Sequence, residues 1–170
     1  KDLINMEFLR KIKDRAPEYD ANLEDLISRF TVMQGGRAGT AGEGSTWEQG
    51  KYFANKYEIY MYASLLGLKN GYKLPFSGSS KKTKFIEIKS WQPQDVAEYI
   101  IMGVLAKSDI DLNDIEEKED DEVEKEILKL RKLLEEYANG GLDIIRSKLE
   151  QDPSFFDNNE NCFIDLLEYS

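Results

Sequence analysis

The stretch Ser45–Leu68, STWEQGKYFANKYEIYMYASLLGL, constrains this chain more than any other. It holds six aromatic residues, Trp47, Tyr52, Phe53, Tyr57, Tyr60 and Tyr62, and only four charges, Glu48, Lys51, Lys56 and Glu58. A helix apolar on nearly every side must be covered on nearly every side. The stretch therefore predicts a central helix, about 35 Å long at 1.5 Å per residue. Ser45 with Glu48 three residues later has the form of a capping box, and Asn70-Gly71 supplies a stop. Gly67 is either part of that stop or a place where a second helix approaches. The aromatics are spread around the helix, which reads as core packing and not as a stacking stripe.

The flanking patterns are also helical. Ile4, Phe8 and Ile12 give one face over Leu3–Arg15, and Leu23, Leu26, Ile27 and Phe30 give another over Asn22–Thr31. Pro93 opens a helix to Ala106, with Val96, Ile100 and Val104 in one stripe and Ala97, Ile101 and Leu105 beside it. Its apolar run EYIIMGVLAK pairs it with the central helix. Val123, Ile127, Leu130, Leu134 and Tyr137 form a heptad-like seam. Asn139-Gly140-Gly141 reads as the end of that helix, with short helices following over Leu142–Leu149 and Cys162–Tyr169. Only Tyr72–Trp91 is extended. Lys84–Lys89 alternates, and Tyr72–Phe76 is its expected hairpin partner, with Pro75 restricting that strand to an edge. The fold class is therefore mainly α: one helical domain over 1–170, five to seven helices around helix 45–68, and one small β-hairpin near 72–90.

Composition removes several chemistries. There is no histidine and one cysteine, Cys162. That excludes His-dependent triads, His metal ligands and an intrachain disulfide. The net charge of −10 comes from one place. The acidic segment 109–126 holds eleven acids and two lysines, which leaves 22 acids against 21 bases elsewhere. No apolar run approaches the roughly 18 residues of a membrane span. The N-terminal run reads as an amphipathic helix and not as a signal peptide, so the expected compartment is the cytoplasm.

Four local patterns bear on function. The stretch 34–44, QGGRAGTAGEG, has five glycines in eleven residues and contains Arg37. It lacks the Gly-Lys-Ser/Thr ending of a phosphate loop and a preceding strand, so it reads as a flexible connection. DIDLND from Asp109 has the acidic spacing of a calcium loop, but Asp114 stands where the turn needs glycine and Asp120 where a bidentate Glu belongs. Glu87-Ile88-Lys89 has the acid-x-Lys form of magnesium-dependent nucleases, in which the carboxylate holds the metal and the lysine steadies the phosphate. The companion acid is missing, because no Asp or Glu lies between Gly67 and Phe85. Glu87 and Lys89 are thus half a motif, and neither a metal nor another cofactor is expected.

Two charged surfaces remain. Lys73, Lys81, Lys82 and Lys84, with Arg37 as a further candidate, suit contact with phosphates; Ser77, Ser79, Ser80 and Thr83 are extra donors, and Lys89 adds to the cluster. Exposed lysines also protect strand edges from aggregation. Asp114, Glu116, Glu117, Glu119, Asp120 and Asp121 suit docking of a basic partner, or fold back on the lysines of the same chain. The reading is a non-catalytic interaction or accessory subunit of a larger bacterial assembly. Its partner is a protein or a second copy of the chain, with no membrane contact. The first alternative is an accessory protein of DNA modification or phage defence that meets nucleic acid through the lysines. The second is a magnesium-dependent nuclease.

Overall fold

The computed structural model describes residues 2–32, 51–157 and 159–170. The expected capping box at Ser45 and Glu48, Trp47, and the glycine-rich stretch with Arg37 lie outside the described residues.

The chain is mainly α. Seven α-helices are described: α1 (Asp2–Lys13), α2 (Glu24–Phe30), α3 (Lys56–Asn70), α4 (Gln94–Ala106), α5 (Asp120–Gln151), α6 (Ser154–Asp157) and α7 (Cys162–Tyr169). One small antiparallel ribbon joins β1 (Glu18–Asp20) to β2 (Lys82–Lys84). The helix faces read from periodicity point inward. Phe8 and Ile12 of α1, Leu26, Ile27 and Phe30 of α2, and Ala97, Ile100 and Val104 of α4 are all buried. So is the seam Val123, Ile127, Leu130, Leu134 and Tyr137 of α5.

The central helix starts eleven residues later than expected, at Lys56. Tyr52 and Phe53 are extended because their backbone is bonded elsewhere. Both amides donate to the Phe30 carbonyl, at 3.0 Å, and the Val32 amide donates to the Phe53 carbonyl, at 2.9 Å. Asn55 stands extended at the N-cap, and Glu58 accepts from the Ala54 amide at 3.1 Å. The far end is where the sequence placed it: Gly71, at φ 59°, closes α3 in the left-handed conformation that glycine adopts without strain.

α4 packs against α3 as expected, but the main neighbour of α3 is α5, and glycine is the reason. A Cβ on Gly141 would stand 1.8 Å from the Ala63 carbonyl oxygen, and one on Gly67 2.1 Å from that of Tyr137. A Cβ on Gly140 would stand 2.2 Å from the Tyr72 carbonyl oxygen. The two backbones touch where only glycine fits. This also overturns the expected stop at Asn139–Gly141. Local preference disfavours glycine in a helix by about 1 kcal/mol each, but here both glycines are buried in the crossing and α5 runs on to Gln151. The Asn139 amide is buried as well, and its Nδ2 donates to the Leu74 carbonyl at 2.8 Å.

The ribbon also differs from expectation in its partner. Tyr72–Phe76 does not pair with the lysine strand, because it lies along α5, where the Leu74 amide donates to the Glu136 carbonyl at 2.9 Å. The lysine strand pairs with Glu18–Asp20, in the link between α1 and α2. The strand expected to reach Lys89 ends at Lys84. Ile88 and Trp91 are both fully buried, and a 3₁₀ turn over Ile88–Ser90 carries them inward.

The C-terminal helices are held by aromatic packing. Phe163 meets Phe30, Tyr52, Phe53, Tyr62 and Phe156, with ring centroids 4.9 to 5.4 Å apart. Tyr62 donates to the Phe163 carbonyl at 2.6 Å, and Tyr52 to that of Phe156 at 2.7 Å. Most of the aromatics of the opening stretch therefore serve as core, as their scatter implied.

Candidate functional site

The lysine strand is fixed from several directions. Its register sets Lys82 opposite Asp20 and Lys84 opposite Glu18 on one face of the ribbon, while Tyr19 and Thr83 share the other. Tyr19 is buried, which anchors that inner face. Beyond the paired residues, the Ala21 amide donates to the Lys81 carbonyl at 2.7 Å and the Phe85 amide to the Pro17 carbonyl at 2.8 Å. Underneath, Tyr60 donates to the Glu18 carbonyl at 3.0 Å, and the Glu18 amide reaches the buried Glu135 carboxylate at 3.3 Å. Burial raises the Glu135 carboxyl above its usual range, against the pull of Arg131 at 3.0 Å.

Lys73, Lys81, Lys82 and Lys84 are all exposed. Among the described residues, no carboxylate comes within ion-pair distance of any of the four. Lys82 lies over the Phe76 ring at 5.1 Å. Asp20, the acid facing it, is occupied: it accepts from Ser80 at 2.7 Å and from the Asn22 amide at 2.9 Å. The hydroxyls read as phosphate donors are partly engaged with one another, Ser77 with Ser80 at 2.6 Å. The result is a rigid ribbon presenting ammonium groups to solvent.

Glu87 and Lys89 stand on the turn and not on a strand face. Lys89 is bracketed by Glu87 at 2.9 Å and Asp14 at 3.1 Å, and those two carboxylates raise its pKa, Glu87 first. The structure thus brings Asp14 to the half motif, with the lysine lying between the two acids. Among the described residues, no group of three or more acid or cysteine side chains is placed to hold a metal ion.

The acidic segment is a loop and a 3₁₀ turn (Asp114–Glu117) leading into α5. Ile110 and Ile115 are buried and pin it. Glu119 and Glu122 form a reciprocal capping box, and their charge suits the positive end of the helix dipole. Its ion pairs reach along α5 and across to the N-terminal part of the chain: Lys118 with Glu126 at 2.8 Å, Lys129 with Asp109, Lys11 with Asp120 at 4.0 Å, and Arg15 with Glu124. Asp114, Glu117, Glu119, Asp120 and Asp121 remain exposed, as does Glu116.

A pocket of about 450 Å³ lies between α2, the first turn of α3 and the residues after β2. Its polar wall carries Glu24 and Lys56, which form an ion pair. Tyr19 also donates to Glu24, as does Ser28, at 3.3 Å. Burial pushes the Glu24 carboxyl up, but hydrogen bonds from Lys56 and Tyr19 outweigh it and the net shift is downward. Tyr57, Phe85 and Ile86 form the apolar wall. Sequence reasoning missed this site, because its walls come from three stretches far apart in the chain and no motif joins them.

A family model described as DNA sulphur modification system-associated protein 4 matches residues 44–166, and the chain belongs to that family. Searches of curated proteins and of solved structures give no match. Among the described residues, no helix is long and apolar enough to cross a membrane.

Proposed function

We propose that this member of the DNA sulphur modification system-associated protein 4 family is a non-catalytic accessory component that meets DNA through its lysine ribbon. Its place of action is the bacterial cytoplasm. The observation that carries the reading is the ribbon itself: Lys81, Lys82 and Lys84, with Lys73 from the loop beside α5, exposed on a backbone tied to both α3 and α5. Lysines two apart on a strand are about 6.8 Å apart. That is close to twice the 3.4 Å axial rise per phosphate of one DNA strand. Such contacts position a protein on a duplex without reading its sequence, which suits a component that places other subunits on DNA. The family membership supports the DNA side of this reading.

The acidic surface supports a second contact, to a basic protein partner. Its backbone is pinned by Ile110, Ile115 and the capping box, so Asp114, Glu116, Glu117, Glu119, Asp120 and Asp121 are displayed on an ordered surface.

The test is fluorescence anisotropy with a labelled duplex across a salt series. Four phosphate contacts correspond to a log–log salt slope of about −3.6. Replacing Lys73, Lys81, Lys82 and Lys84 together by Gln is expected to flatten that slope and weaken binding for every sequence alike. Wild-type protein that ignores duplex at low salt, or a quadruple variant with an unchanged slope, overturns the reading.

A further inference from the structure

We infer that the pocket between α2 and α3 receives an unpaired nucleobase of the DNA strand held on the lysine ribbon. The inference rests on the DNA reading above and deepens it. Three observations point the same way. The first is shape: at about 450 Å³ the pocket is within the range of sites for small organic ligands, roughly 300–1,000 Å³.

The second is chemistry. Tyr57 and Phe85 give aromatic surface and Ile86 an aliphatic edge, and every base has a face that stacks on such surface. The polar wall sets donors around the Glu24 carboxylate, which is itself an acceptor. Glu24 neutralises Lys56 but takes only one of the three ammonium protons. The Tyr57 oxygen accepts from Asn55 Nδ2 at 3.2 Å, which leaves its own O–H to give. Base edges carry the ring nitrogens and carbonyl oxygens that accept such bonds.

The third is continuity. Phe85 and Ile86 follow Lys84 directly, so the pocket's apolar wall is one or two residues, about 3.4–6.8 Å along an extended chain, from the last ribbon lysine. Phe85 shares the inner face of the ribbon with Tyr19, their ring centroids 5.7 Å apart, so a backbone lying on Lys82 and Lys84 enters the pocket around the ribbon's edge, past Ile86. Ile86, which is 45% exposed, is then the edge of the opening instead of an unexplained apolar side chain in solvent.

The experiment compares a fully paired duplex with the same duplex carrying one unpaired adenine, for wild type, Ile86→Ser and Tyr57→Leu. Ile86 is exposed and Tyr57 half-buried, so neither change empties the core. Wild type is expected to bind the bulged duplex roughly tenfold more tightly, the low-to-middle part of the range for one stacked base. Both variants are expected to bring that ratio near one and leave paired-duplex affinity unchanged. Equal wild-type affinity for the two duplexes overturns this inference and leaves the ribbon reading standing. So does a wild-type preference that both variants retain. Failure of wild type to bind either duplex overturns the ribbon reading and this one with it.

Discussion

Replacing Gly141 by Ala tests the architecture at its tightest point. The added methyl meets the Ala63 carbonyl oxygen at 1.8 Å and its Cα at 2.8 Å. Both are backbone atoms of a helix, so no side chain can swing aside. Restoring an ordinary 3.4 Å contact requires the helices to separate by about 1.6 Å. A gap of even 0.5–1 Å forfeits roughly a quarter to a half of the dispersion energy across it. The facing layers include Ile59, Ala63 and Leu66 on α3 and Leu134, Ala138 and Leu142 on α5, all buried. Overpacking of this kind costs about 3 kcal/mol at the upper end of its usual range. Alanine returns about 1 kcal/mol through its better helix propensity. The net loss is about 2 kcal/mol, or a fall in Tm of roughly 4–8 °C for a chain of this size. Urea unfolding followed by circular dichroism measures it, and Gly78→Ala is the control. Nothing lies within 4 Å of a Cβ at Gly78, so that change is expected to stay within about 0.5 kcal/mol. If Gly141→Ala matches its control, or stabilises the protein, the close crossing of α3 and α5 is not what makes glycine necessary there.

Phe163→Ala is expected to cost about 3–5 kcal/mol, the usual penalty for truncating a large buried aromatic. Phe163→Leu should recover much of it, and a denaturation midpoint equal to wild type for the alanine variant would refute the role of the aromatic cluster in holding α7. Glu135 gives a pH dependence. Burial raises its folded-state pKa above the ordinary value of 4.5. Its contribution to stability is therefore complete below about pH 4.5 and is lost as pH rises through the folded value. The stability of wild type relative to Glu135→Gln should fall across that interval and level off above it, and a difference that is flat or rising in the same titration refutes the assignment.

The helix faces were legible because a 3.6-residue period survives burial. Val123 through Tyr137 is the clearest case. The glycines were legible as small residues but ambiguous in role. Gly71 and Gly140-Gly141 look alike in sequence, yet one terminates a helix and the other admits a neighbour. Only the position of α3 distinguishes them, and that is tertiary information. The ribbon was misread for a related reason. Lys82–Lys84 finds its partner at Glu18–Asp20, across α2 and α3, while sequence reasoning favours the nearest extended run. The start of the central helix was misplaced because the bonds from Tyr52 and Phe53 to Phe30 override a pattern that is locally helical. The lysines themselves were legible as exposed charge; the pocket beside them was not, since Glu24, Lys56 and Phe85 share no local signal.

The length of α5 gives the molecule a built-in ruler. Asp120 stands at its first residue and Glu135, which touches β1 beneath the lysine ribbon, fifteen residues on. At 1.5 Å per residue the two levels are about 22 Å apart. That is well beyond the screening length of about 8 Å at physiological salt. Charges at the Asp120 level and at the Glu135 level are therefore largely screened from one another. On the function proposed above, a polyanion and a cationic protein would meet the molecule at these two levels, which is the geometry of a bridge.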